Sequence, residues 1–224
     1  MSTEPYEPIK QQLLAHLETA DPNGGLSEAG FATLGALVEQ MRPVSPVPEP
    51  LNAMQHVVGR WETMFAHFGV RHSAMKTLVH DSNLKQQSFN RFPEVPIRVL
   101  RICQEIETTG QAYNNVIDFK TADGGSDGVI VIRGRYRAED GTPQRFFVEF
   151  YRAEISPGAG TTEAQLRASL GFTNDEALTA EIKPPRLHSD VVYLDDDMRI
   201  NIGSLGGLYV LKKSAEPAFS VQIG

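Results

Sequence analysis

The sequence predicts a mainly β protein, an antiparallel β-barrel preceded by two N-terminal helices. Before Pro50 the apolar residues recur at helical spacing, and after it they alternate with period two. The alternating runs are separated by Thr109-Gly110, Asp123-Gly124-Gly125 and Asp140-Gly141, which are typical of antiparallel hairpin turns. Short connections between successive strands favour an up-and-down meander, and such a sheet removes its exposed edges by closing on itself; roughly eight or nine strands would suffice.

The elements follow in order. Ile9, Leu13, Leu14 and Leu17 line one helical face, and Asp21, Pro22, Asn23, Gly24 and Gly25 break it with turn residues. Ser27 is placed to cap a second helix whose apolar face carries Phe31, Leu34, Leu37, Val38 and Met41. The proline-rich run RPVSPVPEP, ending at Pro50, reads as an extended connector. This divides the chain into a helical lead with its connector, 1–50, and a barrel domain, 51–224. Strands are expected over 57–70, 99–108, 112–121, 128–139 and 144–155. Beyond Ile155 the pattern loosens, with one short helix expected over Glu163–Leu170; 156–184 reads either as a lid or as a surface insertion.

The run VVYLDDDMRINIGSLGGLYVLKK sets three aspartates and an arginine inside apolar sequence. Three adjacent carboxylates on an extended chain alternate in direction and lack the D-x-D-x-D spacing of a calcium loop, so Asp195, Asp196 and Asp197 read as a tight, solvated turn between two strands. Met198, Ile200 and Ile202 then seek the core, which places Arg199 on the opposite face. A guanidinium there needs an aromatic plane or a carboxylate, and Trp61 is the one tryptophan in the chain.

Composition narrows the function. A formal charge of −7 and 22% charged residues make a poor partner for nucleic acid. Cys103 is the single cysteine and sits among Leu100, Ile102 and Ile106, as a buried hydrophobe would. His67, His72 and His80 match no zinc spacing, no G-x-S-x-G elbow occurs, and Gly124 to Gly128 read as a hairpin loop rather than a phosphate cradle. No stretch approaches the ~20 apolar residues of a membrane span, and the start lacks the order of a secretory leader; the expectation is a cytoplasmic protein.

The G-x-W of the first barrel strand, with an arginine near the last strands, resembles the lipocalin-like, or calycin, pattern. Three stretches more closely resemble the plastid lipid-associated protein/fibrillin family: LVEQMRPVSPVPEP, VGRWETMF and VYLDDDMRINIGSLGGLYVLKK. The chain departs from that family at Arg42-Pro43, where Asn-Pro is usual, and at Ile202, where an arginine is common. Without an obvious transit peptide it looks more like a bacterial member than a plastid one.

The resemblance implies a lipocalin-like barrel that binds or carries a lipid, quinone or carotenoid, with no cofactor, no nucleic acid partner, and peripheral contact with a membrane or lipid particle. Phe119, Tyr136, Val148 and Phe150 are the candidate lining. It also implies that Arg199 packs over Trp61 to close one end, with Asp195 and Asp197 shaping the adjoining turn. A scaffold with a filled barrel is the alternative, and an enzyme is the less favoured third reading.

Overall fold

The computed structural model describes residues 5–20, 26–67, 79–183 and 186–216. The turn expected at 21–25, His72, Pro184 and the end of the first expected strand, 68–70, lie outside the described residues. Among the described residues the strands are β1 (Gly59–His67), β2 (His80–Asn83), β3 (Pro96–Ile106), β4 (Tyr113–Thr121), β5 (Asp127–Arg137), β6 (Arg145–Pro157), β7 (Thr179–Glu181), β8 (Leu187–Leu194), β9 (Met198–Gly203) and β10 (Leu208–Lys213). The sheet runs β1-β10-β9-β8-β6-β5-β4-β3, and β1 pairs with β3, so eight antiparallel strands close into a barrel. β1 pairs with Cys103 to Ile106 of β3 and β2 with Pro96 to Val99, so β2 continues the edge that β1 leaves. β7 does the same beside β6, beyond the part that β8 occupies.

Two helices precede the barrel, α1 (Glu7–Leu17) and α2 (Glu28–Met41). Ser27 caps α2, its Oγ accepting from the Gly30 amide at 3.1 Å. The helices lie on the outer wall, where Leu13, Leu34, Leu37, Val38 and Met41 pack against Phe65, Tyr193, Met198, Ile200 and Val210. Here the structure corrects the expected facing of β9. Met198 and Ile200 point outward into the helix interface, and Arg199 points into the barrel. Alternation along the strand is as read; among the described residues apolar side chains pack on both faces of the wall, and period two cannot say which face a strand's apolar residues meet. An irregularity between Val191 and Tyr193 shifts β8 in the same way, sending Val191 and Leu194 inward while Val192 and Tyr193 meet the helices.

The connector is less extended than its prolines imply. Single 3₁₀ turns form at Arg42–Val44 and Pro50–Asn52, followed by α3 (Met54–Val57). In each 3₁₀ turn the proline sits in the first positions, where its missing N–H is not needed. The helix expected over Glu163–Leu170 is present as α5, held by a capping box between Thr162 and Gln165 and ended by Gly171 at φ 70°. A four-residue helix after β2, α4 (Leu84–Gln87), is too short to leave a period in the sequence.

Candidate functional site

The barrel has a floor and a mouth built from different parts of the chain. At the floor the connector crosses the strand ends, with the Val47 amide bonded to the Leu194 carbonyl at 3.2 Å and the Leu51 amide to the Pro143 carbonyl at 3.0 Å. Val47, Leu51, Met54 and Val57 plug this end by packing on the inner core. Trp61 seals the corner, its Nε1 donating to the Val57 carbonyl at 2.7 Å.

The mouth is covered by two segments that are not barrel wall. One is α4 with the loop to β3, which contributes Leu84, Phe89, Phe92 and Val95 to the inner core. The other follows β6 and contributes Leu166, Leu170, Phe172 and Leu178. Ser126 Oγ and Ser169 Oγ, 2.9 Å apart, tie α5 to the turn between β4 and β5. A cleft of about 200 Å³ lies where the two covers meet, lined by Arg91, Phe92, Pro93, Phe172 and Ala180. Phe89 and Asn90 have φ of 54° and 61°. For a bulky aromatic residue such left-handed backbone is strained, and the strain is stored at the mouth.

From Phe89 a run of rings descends the barrel. Phe89 and Phe150 have centroids 5.4 Å apart, Phe150 and Tyr113 6.4 Å, Tyr113 and Phe146 6.1 Å, and Phe146 and Tyr136 5.2 Å. The expected lining residues Phe119, Tyr136, Val148 and Phe150 all face this interior and are buried. Only Tyr136 and Phe150 belong to the continuous ring path. Phe119 lies flat on Gly128 of the neighbouring strand, where a Cβ would meet its Cζ at 2.3 Å, so its ring serves the wall.

One side of the interior is polar. Arg199 is fully buried, its Cζ 4.9 Å from the centroid of the Trp61 ring, and its Nη2 donates to Gln104 Oε1 at 2.6 Å. The same oxygen accepts from the Tyr113 hydroxyl at 3.0 Å and lies 3.4 Å from Asn201 Nδ2. Arg199 Nε and Nη1 and Asn201 Oδ1 have no hydrogen-bond partner among the described residues. Lys213 Nζ sits 4.6 Å from the Trp61 centroid and donates to the carbonyls of His56 and Val58 at 3.1 and 2.7 Å. Burial pushes the Arg199 guanidinium down to about 10, and burial together with Arg199 lowers Lys213. Tyr209, which packs against the same core, is pushed up by burial to about 12. Gln104 carried no sequence signal, since a single glutamine on a strand belongs to no pattern.

The aspartate turn lies on the outer side of this cluster. Asp195 Oδ1 accepts from the amides of Asp197 and Met198 at 3.0 and 2.7 Å, the self-bonding turn that aspartate favours. The expectation of three solvated carboxylates fails at Asp195, which is 4% exposed. α1 brings Lys10 to it, with Nζ 2.7 Å from Oδ2, and Tyr193 donates its hydroxyl to the same oxygen. Lys10 also pairs with the Asp197 carboxylate, and Asp196 is solvated. Burial alone would raise Asp195; the bonds from Lys10, Tyr193 and Asp197 hold it below the ordinary carboxylate value.

Elsewhere, a groove of about 390 Å³ runs outside the barrel between the connector and the β6–β8 edge. Arg145 in its wall is bonded through Nε and Nη2 to both Asp190 oxygens, and Arg42 pairs with Glu39. Among the described residues no cluster of His, Cys, Asp or Glu could hold a metal ion, and no helix is long and apolar enough to cross a membrane.

A plugged floor, a closed antiparallel wall and a separately covered mouth define a small barrel protein with an enclosed interior. The chain belongs to the PAP_fibrillin family, whose family model matches residues 7–212. No curated protein and no solved structure matches it.

Proposed function

We propose that the protein binds or carries an apolar small molecule, of lipid, quinone or carotenoid type, inside the barrel. The observation that carries this reading is the mouth. Its covers are loops and short helices rather than barrel wall, they meet at a cleft, and Phe89 reaches inward from strained backbone to touch Phe150. Membership of a lipid-associated family agrees with such a role. The molecule enters between the two covers, Phe89 withdraws, and the ligand takes its place against Phe150, Tyr136 and Val148.

Gentle purification followed by native mass spectrometry and organic extraction tests this directly. A co-purifying apolar molecule, or saturable binding of fluorescent fatty-acid and quinone analogues, is expected. The second reading, a scaffold, draws on the same ring path, which occupies the interior from Phe89 to Tyr136. No extracted molecule and no displacement by any apolar competitor would transfer the function to that scaffold.

A further inference from the structure

The polar side of the interior has more donors than acceptors. Gln104 Oε1 has two lone pairs and is approached by Arg199, Tyr113 and Asn201, while Arg199 Nε and Nη1, on different sides of the guanidinium, have no acceptor among the described residues. Arg199 and Lys213 are cations drawn to the same tryptophan ring, and neither has an ion pair with any described residue. A buried guanidinium left in this condition lacks the compensation that buried charge requires, and its depressed proton affinity is the symptom. The missing complement is planar, anionic and accepting, which describes a carboxylate. A quinone or carotenoid oxygen would accept hydrogen bonds and bring no charge.

Tyr113 joins this polar side to the apolar one. Its hydroxyl bonds to Gln104 and its ring touches Phe146 and Phe150, which lead to Phe89 and the mouth. We infer that Arg199 selects the ligand's head group: the molecule carried is a long-chain carboxylic acid, its carboxylate accepting on the Nε side or the Nη1 side of Arg199 and its chain running past Tyr113 and Phe150 toward the mouth. This rests on the reading of the barrel as a carrier. Arg199 then keeps its contact with the Trp61 ring and its bond to Gln104, and gains the carboxylate as a third partner.

The test compares palmitic acid, hexadecanol and methyl palmitate on the full chain, by displacement of a fluorescent fatty-acid analogue. Charge-assisted bonds of this kind predict that the acid binds at least about tenfold more tightly than the other two. Arg199→Met should bring acid and ester to similar affinity, and near-ultraviolet circular dichroism reports whether that variant is folded. Should it fail to fold, the ranking of the three compounds on the parent protein decides the matter alone. Equal binding of all three compounds, or a folded Arg199→Met that keeps its preference for the acid, overturns head-group selection and leaves the carrier reading standing. Binding of none of them overturns head-group selection as well, and the carrier reading is then decided by the organic extraction and the quinone analogues.

Discussion

At Arg199 two effects oppose each other. Burial without an anion destabilises the charged group, while the contact with Trp61 and the bond to Gln104 stabilise it. Truncation to alanine removes the stabilising contacts and also leaves a void beside a fully buried indole. Arg199→Ala should therefore lose about 2 kcal/mol in urea unfolding followed by Trp61 fluorescence. Arg199→Lys should recover little, because an ammonium lacks the planar fork. A parent-like midpoint for the alanine variant would end the closure role. A second residue-scale outcome concerns Gly128, where a methyl would meet the Phe119 ring at 2.3 Å. Gly128→Ala should destabilise by about 1–3 kcal/mol, the range for overpacking, and push Phe119 off the wall. Phe119→Leu combined with Gly128→Ala should recover most of that loss, and no recovery would mean that the clash lies elsewhere.

Among the elements, β3 to β6 could be read from the sequence to within a few residues, because each combines alternation with a turn that only a few residue types can make. β2, α3 and α4 could not, since four residues complete neither a strand pattern nor a helical face. The site was legible in halves. Trp61 and Arg199 could be paired through a single tryptophan and a charge in need of a plane, whereas Lys10 and Gln104 reach the cluster only through tertiary packing. The strained Phe89 was invisible too: Asn90 in SFNRF is a residue type that tolerates left-handed backbone, but nothing there marks the phenylalanine before it. Its element-scale consequence is measurable. When a covered mouth must open before a ligand binds, apparent affinity is scaled by the open fraction, so trimming the plug should raise it. Phe89→Gly should bind an apolar probe such as Nile red about threefold or more tightly, with the backbone strain at φ 54° relieved because glycine carries no Cβ. Unchanged affinity would mean that Phe89 is ordinary core.

Over the whole molecule, an inner core and an outer core lie on opposite sides of one wall, and the prediction at this scale is that they open separately. The outer core joins α1 and α2 to β8, β9, β10 and β1, and it is bordered by the buried ion pair of Lys10 with Asp195. Asp195 has a folded proton affinity below its ordinary 3.8, so its contribution is present above that value and disappears as pH falls through the still lower folded one. Lys10 is raised above 10.5, so its contribution is full below that value and disappears as pH rises through the higher folded one. The pair therefore holds across the neutral range and begins to weaken on the acid side below 3.8. Trp61, fully buried in the inner core, reports on the barrel independently. Acidification below 3.8, through the folded value of Asp195, should open α1 and α2 to hydrogen exchange while Trp61 emission stays blue-shifted, and Lys10→Met should shift that opening to neutral pH by leaving Asp195 buried without its cation. A single transition, with helix exchange and Trp61 emission changing together in both proteins, would show instead that the helices and the barrel unfold as one cooperative unit.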